Sequence, residues 1–244
     1  MSPSFPVSRE VSVRVAADYA CFSRPEMKVE RVSYPCITPS AARGVLEAIC
    51  WEPEFRWVVT SIGILKPIEF QAITRNEVQK KIPTNSVAGW MRDPSSYRPF
   101  YANARGREEG ENATQRSTLA LKDVAYNITA RVVFDSPTPR EDETPEKYVA
   151  MFERRVARGQ CYHRPYLGLR EFAASFRPVD PGEHLQPIDM DMGRMLYDII
   201  YAPRGSRRKN EPIFFQAKAV GGRVDTAPER VLEDPALRER VLTC

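Results

Sequence analysis

Histidine, paired cysteine and long apolar runs are scarce or missing in this chain of 244 residues. Of its two histidines, His163 and His184, neither stands in an H-E-x-x-H or similar spacing, which argues against a histidine-rich metal site. No run approaches the roughly 18 to 20 apolar residues that a membrane span needs. The N-terminus is polar where a signal peptide would be apolar. We therefore expect a cytoplasmic protein without a membrane segment.

The five cysteines form an odd-numbered set with no C-x-x-C pair. Disulfide frameworks and zinc knuckles both need paired or clustered cysteines. The pattern favours reduced thiols at Cys21, Cys36, Cys50, Cys161 and Cys244.

Motifs for phosphate loops, dinucleotides and acyl transfer are missing as well. The sequence has no Walker loop, no G-x-G-x-x-G and no nucleophile elbow. Asp189 and Asp191 stand close together, but a two-metal nuclease needs several converging carboxylates, and turn or cap roles are more common for such a pair. We expect no metal and no cofactor.

Arginine is plentiful and unevenly distributed. The net charge of +4 is too small to indicate nucleic acid by itself. The planar fork of arginine can bond two phosphate oxygens at once, although a charge run is more often a solvated face. The clusters are Arg75, Arg92, Arg98, Arg105, Arg107 and Arg116, and later Arg204, Arg207, Arg208 and Lys209.

Hydrophobic periodicity predicts strands and helices in alternation. Thr-Pro pairs mark two helix starts, because threonine caps a helix and proline fits its first turn. Residues 80–112 lack periodicity, which is typical of functional or disordered stretches. The predicted strands are 11–17, 55–65 with an extension at 68–73, 126–134 within a regular 119–134, 161–168, 195–201 and 213–220; the predicted helices are 38–50, 144–158 and 228–242.

This order predicts an α+β fold. Residues 1–170 would form a ferredoxin-like (RRM-like) domain with an irregular insertion at about 80–112. Residues 171–244 would form a smaller β-rich region with a terminal helix. Such sheets stack RNA bases and hold phosphates. RNA also supplies its own nucleophile, since a 2′-hydroxyl can attack the adjacent phosphate when a proton acceptor, a proton donor and a cation are in place.

Several segments together resemble the Cas-five family of CRISPR-associated proteins, in its subtype I-C subgroup. The resemblance covers about Val11 to Val220 and includes the segments 24–34, 38–49, 75–78, 114–119, 121–124 and 165–172. It implies an endoribonuclease that binds the CRISPR repeat hairpin and cuts precursor RNA at the hairpin base without metal. It also implies retention of the 5′ handle, and partners that include the backbone and large subunits of the type I-C surveillance complex (Cascade).

The resemblance implies an active site of one tyrosine, one lysine and one histidine. Its tyrosine position, before the tryptophan that ends the first helix, is Cys50 here, and its lysine-histidine pair is placed at Lys122 and Asp123. Lys122 is the expected catalytic cation. Tyr126, four residues on in the same strand, is a candidate for proton transfer. His163 is another, although a lone histidine near a strand is more often structural.

The missing tyrosine and histidine leave an alternative open, a scaffold that only holds the handle. A further hypothesis is affinity for duplex DNA at Arg204 to Lys209. Trp51 and Trp57 are expected in the core, and Trp90 as a base-stacking candidate. Expected RNA-binding residues are Arg24, Lys28, Arg31, Arg43, Arg75 and Arg116.

Overall fold

The computed structural model describes residues 5–27, 29–78, 82–97, 113–136, 140, 142–202, 205 and 209–243. Within them the chain forms a mixed α/β fold. The strands are β1 (Val11–Ala20), β2 (Arg31–Val32), β3 (Phe55–Ile64), β4 (Glu69–Val78), β5 (Ala113–Phe134), β6 (Ser175–Arg177), β7 (Met190–Ile200), β8 (Glu211–Val220) and β9 (Arg223–Asp225). The helices are α1 (Pro39–Ile49), α2 (Thr84–Arg92), α3 (Pro145–Ala157), α4 (Pro228–Val231) and α5 (Pro235–Thr243), with a 3₁₀ turn at Pro94–Ser96.

The two Thr-Pro pairs begin helices as predicted. The Oγ1 atom of Thr38 accepts a hydrogen bond from the backbone amide of Ala41 at 3.2 Å, and Thr144 caps α3 through Lys147 in the same way. These bonds satisfy amides that would otherwise lack a partner at a helix start. Both helices then bury an apolar stripe against the sheet.

The sheet is mostly antiparallel and continuous along the order β6-β1-β5-β3-β9-β8-β7. The 22-residue strand β5 organises it. The C-terminal half of β5 pairs with β1 and β3, while its N-terminal half forms a ladder with β4 from Glu69–Lys122 to Val78–Ala113. The short β9 links β3 to β8, so the C-terminal strands extend the same sheet.

Aromatic side chains fill the core between β3, β5 and α3. Trp57 is 1% exposed and its ring centroid lies 4.7 Å from that of Phe152, which confirms the prediction for Trp57. Trp51 is 55% exposed, so the prediction of a buried Trp51 is wrong. The reason is local: α1 ends at Ile49, Cys50 adopts extended backbone, and Trp51 follows outside the helix.

The predicted strand at 161–168 is wrong. Its residues form a loop, held by an isolated bridge between Tyr166 and Ala173, and the strand after α3 is β6 at Ser175–Arg177. Gly168 has a φ of 84°, which is incompatible with an extended strand. The strand β6, which lies at the edge of the sheet beside β1, therefore comes after the predicted domain boundary at residue 170.

Two further expectations need adjustment. The region expected to be irregular contains α2, whose described residues are all at least partly exposed. The single helix predicted at 228–242 is divided into α4 and α5, because Leu232 between them adopts extended backbone. Among the described residues, no helix is both long and apolar enough to cross a membrane.

Candidate functional site

Lys122 lies on an exposed part of β5. It pairs across the sheet with Tyr19 on β1 and with Glu69 on β4. Within the described part of the chain, no ion pair involves Lys122. The neighbouring Asp123 is already engaged, since its carboxylate accepts a hydrogen bond from Lys66 Nζ at 2.5 Å. The ammonium of Lys122 is therefore free to meet an anion.

Tyr126 does not share an exposed face with Lys122, so this prediction is wrong. Asp123 between them has a φ of 49°, a left-handed conformation that breaks the alternation of the strand. Tyr126 is only 2% exposed, and burial raises the pKa of its hydroxyl well above the usual value. It is a core residue that has no access to a substrate.

Cys50 lies far from Lys122. Its carbonyl accepts a hydrogen bond from Trp57 Nε1 at 2.8 Å, and Trp57 pairs with Val132 on β5. Val132 and Lys122 are separated by about ten strand residues, roughly 30 Å at the usual rise. Burial raises the pKa of the Cys50 thiol, opposed by Arg155. Cys50 thus lies towards the C-terminal end of β5 and Lys122 near its middle, so the structure does not bring these two side chains together.

His163 lines a cleft beside α1. The backbone amide of His163 donates a hydrogen bond to the carbonyl of Ala48 at 3.3 Å, which fixes the loop against the end of the helix. The side chain is exposed, so the structural role that is common for a lone histidine does not apply. The cleft has a volume of about 370 Å³ and its walls include Ser40, Gly44, His163, Tyr166 and Tyr201.

The His163 loop is anchored to β1 at a point that only glycine permits. The amide of Cys21 donates to the carbonyl of Leu167 at 3.1 Å. A Cβ atom at Gly168 would lie 2.0 Å from the carbonyl oxygen of Cys21, and the positive φ of Gly168 also favours glycine. This close approach holds the far end of the loop in place, and with it the position of Tyr166 in the cleft wall.

Arg43 and Asp198, two members of a charged cluster, line the same cleft. Asp198 on β7 is 7% exposed and binds Arg43 through both carboxylate oxygens, at 2.8 and 2.9 Å. Arg56 donates to the same carboxylate at 2.8 Å. The guanidinium of Arg43 is therefore already bonded within the protein. A contact between Arg43 and RNA stays a prediction, and it would have to compete with this bond.

Glu47 is the functional candidate that the sequence did not reveal. It lines the cleft, one helical turn after Arg43, whose Nε lies 3.4 Å from its carboxylate. Burial raises the pKa of Glu47, against the opposing effect of Arg43 and Arg56. The Arg43–Glu47 spacing was the available signal, but it is typical of any solvated helix face. The cleft thus brings together an imidazole, a carboxyl group and tyrosine hydroxyls.

The other predicted RNA-binding arginines differ in their availability. Arg24 lies over the ring of Tyr34, Arg31 pairs with Glu77, and Arg75 is held by Glu77 and Glu171. Arg116, opposite Arg75 in the β4–β5 ladder, has no ion-pair partner within the described residues. Lys28 and the cluster residues Arg204, Arg207 and Arg208 lie outside those residues. Trp90 packs edge-on against Tyr97, with ring centroids 5.2 Å apart.

No group of three or more histidine, cysteine, aspartate and glutamate side chains suited to a metal occurs in the part of the chain that the structure describes.

Two curated proteins are similar to this chain over almost its whole length. One, from Mannheimia succiniciproducens, is 40% identical over 91% of this chain and 96% of its own. The other, from Thermus thermophilus, is 38% identical over 94% of this chain and 96% of its own. Both carry the name CRISPR pre-crRNA endoribonuclease Cas5d.

Two solved structures share the fold of this chain, and a family model matches most of its sequence. A CRISPR-associated protein shares the fold with a TM-score of 0.59 at 20% identity, covering 91% of this chain and 93% of its own. A functionally uncharacterized protein from Streptococcus mutans gives a TM-score of 0.58 at 18% identity, covering 90% and 92%. The model of the family described as CRISPR-associated protein (Cas_Cas5) matches residues 11–225. The chain therefore belongs to this family of CRISPR-associated proteins, in agreement with the resemblance noted in its sequence.

Proposed function

We propose that the chain is an endoribonuclease that binds the CRISPR repeat hairpin and cuts precursor crRNA at the hairpin base. The observation that carries this proposal is the similarity to two proteins named for that activity, at 40% and 38% identity over more than nine-tenths of the chain. The alternative is a scaffold that only holds the 5′ handle, and its motive is that Cys50 and Asp123 stand at the positions where the resemblance expects a tyrosine and a histidine.

The proposed fold type is ferredoxin-like, as in RRM domains. Its support is the order β6-β1-β5-β3, with α1 between β1 and β3 and α3 between β5 and β6. This is the β-α-β-β-α-β connection of a split βαβ unit, with β4 and α2 inserted before β5. On this reading the first unit runs to β6, and the C-terminal β-rich region begins after it.

The proposed chemistry is cleavage by the RNA itself, without a metal. Glu47 accepts the proton of the 2′-hydroxyl, and the 2′-oxygen attacks the neighbouring phosphorus. The bond from phosphorus to the 5′-oxygen breaks, and His163 gives that oxygen a proton. The products are a 2′,3′-cyclic phosphate and a 5′-hydroxyl, and no water or oxidant is consumed.

Neighbouring cations have supporting roles in this proposal. Arg43, fixed by Asp198, holds Glu47 in the cleft. Lys122 and Arg116 are six residues apart on β5 and share a face by strand alternation, so they suit phosphates of the bound RNA outside the cleft. Lys122 is thus assigned to binding and not to the cut phosphate.

The activity is tested by incubating the pure protein with its cognate repeat hairpin in EDTA at neutral pH. We expect cleavage to a cyclic phosphate end, and no cleavage of a hairpin that carries a single 2′-deoxy substitution at the cut. Tight binding of the unmodified hairpin without any product would leave the scaffold as the correct description.

Substitution of Lys122→Ala should weaken RNA binding and leave the cutting rate of bound RNA nearly unchanged. The loss of one phosphate contact should reduce the slope of log affinity against log salt by about 1 or less. Lys218→Ala, on β8, is the matched control, because Lys218 is also an exposed strand lysine. Single-turnover rates at saturating protein separate the two effects. A rate that falls by a hundredfold with intact binding would return Lys122 to the catalytic centre.

The pH profile of cleavage should report Glu47. Since burial raises its pKa above the usual value, the carboxylate that serves as base is lost at a higher pH than for an exposed glutamate. We expect the single-turnover rate to fall as the pH drops through this raised pKa. Glu47→Gln should remove that acid limb together with most of the activity. An unchanged profile in Glu47→Gln would show that another group accepts the proton.

We also propose that the chain keeps the 5′ handle and assembles with the backbone and large subunits of a type I-C surveillance complex. Membership of the CRISPR-associated family supports this proposal. Co-purification of the processed RNA with this chain and its neighbouring subunits is the test. Affinity for duplex DNA stays a prediction, because most of the residues that suggest it lie outside the described part.

A further inference from the structure

A second cleft adjoins the one that holds His163. Its volume is about 330 Å³, and its walls include Trp51 and Pro53, which follow the end of α1. The two clefts share four wall residues, Arg43, Glu47, Ile199 and Tyr201. Trp51 and Asp135 line the second cleft and not the first. Glu47 and Tyr201 thus stand at the boundary between two adjacent recesses.

Large aromatic rings are exposed around both recesses. Tyr201 is 68% exposed and Trp51 is 55% exposed. Tyr162, beside His163, is 87% exposed. Single exposed aromatics are ordinary on protein surfaces, but rings that border two neighbouring recesses are a more specific arrangement. Because these rings are exposed to water, they contribute little to packing of the core.

The charges of the recesses largely cancel. Arg43 and Arg56 are both bonded to Asp198. Burial raises the pKa of the Glu47 and Asp135 carboxyl groups, so both favour the neutral form more than exposed carboxyls do. Two guanidinium groups that are already bonded to a carboxylate attract a doubly charged free phosphate less than uncommitted ones would, while Arg43 at the shared wall still lies beside the single charge of a phosphodiester. A flat, uncharged ring with hydrogen-bonding edges fits better, because it can stack on an aromatic side chain and meet polar groups at its rim.

We propose that the paired clefts hold the two nucleotides on either side of the cut, with one base on Tyr201 and the other on Trp51, and that the nucleotide on the stem side leaves its base pair when it binds. This inference rests on the proposed function, since it places the phosphate between the bases at the shared wall, beside Glu47. The proposed occupant of the paired clefts is single-stranded RNA. Every base has a π-face, so stacking would tolerate sequence changes, while polar edges such as that of Asp135 would add selectivity.

The test uses a hairpin that cannot be cut, with a 2′-deoxy nucleotide at the cleavage position and 2-aminopurine on one or the other side of it. Binding to the wild-type protein should change the fluorescence at both positions, because stacking quenches the probe. Tyr201→Leu should abolish the change at one position and weaken binding by about five- to a hundredfold, the range expected for one lost stack. Trp51→Leu should do the same at the other position.

Tyr201→Phe is the matched control, since it keeps the ring and should bind like the wild type. Wild-type affinity and fluorescence in Tyr201→Leu and Trp51→Leu would overturn the proposal, and would leave a protein segment as the better occupant of the clefts. Because the hairpin is not cut, the result does not depend on catalysis. Quenching by a protein that fails to cleave normal RNA would support the clefts while refuting the endoribonuclease.

Discussion

His163→Ala should slow cleavage of the repeat hairpin by about 10²- to 10⁴-fold at neutral pH, the usual contribution of one general acid or base. The variant should still bind RNA with nearly wild-type affinity, because the imidazole acts on the leaving oxygen and the loop is held by backbone bonds. Those bonds join the amide of His163 to Ala48 and Leu167 to Cys21, and the substitution leaves them intact. The measurement is a single-turnover rate with excess protein.

His184→Ala provides the control for this prediction. His184 is the second histidine of the chain and is also exposed, but it does not line the cleft. We expect its cleavage rate to match the wild type. A hairpin with a better leaving group than the 5′-hydroxyl, such as a 5′-thiolate linkage, should recover much of the rate in His163→Ala if the imidazole donates a proton. A loss of less than threefold in His163→Ala would place the acid elsewhere.

Asp198→Ala should destabilise the protein by about 3–5 kcal/mol, the range for removing one partner of a buried ion pair. Two arginines depend on this carboxylate, and the side chains of Arg43 and Arg56 are only 18% and 10% exposed. Without Asp198 both positive charges would be left in a poorly solvated position. Asp198 also accepts a hydrogen bond from the amide of Ile199 at 2.8 Å, which is lost as well. Urea denaturation of the variant and the wild type measures the difference.

Asp191→Ala is a suitable comparison, because it removes an exposed aspartate from the same strand. Its effect on the unfolding midpoint should be much smaller. Asp198→Asn keeps the shape but not the charge and should fall between the two. If Asp198→Ala unfolds at the same urea concentration as Asp191→Ala, the cluster contributes little to the attachment of β7 to α1.

Much of the fold could be predicted from local signals. The Thr-Pro pairs identified α1 and α3, alternation identified β1, and regular runs rich in β-branched and aromatic residues identified β3 and most of β5, because these signals act over a few residues. The strand expected at 161–168 failed because apolar content alone does not distinguish a strand from an anchored loop. The decisive feature there is Gly168, whose approach to Cys21 depends on a segment more than a hundred residues earlier.

The candidate site was less accessible from the sequence for a similar reason. The left-handed backbone of Asp123 interrupts the alternation of β5, so Lys122 and Tyr126 point to different faces. No sequence pattern predicts a positive φ at an aspartate. The resemblance placed Cys50 and Lys122 in one active site, whereas in the structure they lie beside different parts of β5. Glu47 and Tyr201 belong to segments that meet only when β7 packs on α1.

The bond between Arg43 and Asp198 joins positions 155 residues apart. Contacts of such long sequence separation form late, because the loop between them must be closed first. During synthesis, α1 and the His163 loop are complete before β7 has been made. A nascent chain therefore has no finished cleft, and cutting must begin only after most of the protein has been translated and folded. Precursor RNA that meets an unfinished chain would find phosphate contacts on β5 but no site in which to be cut.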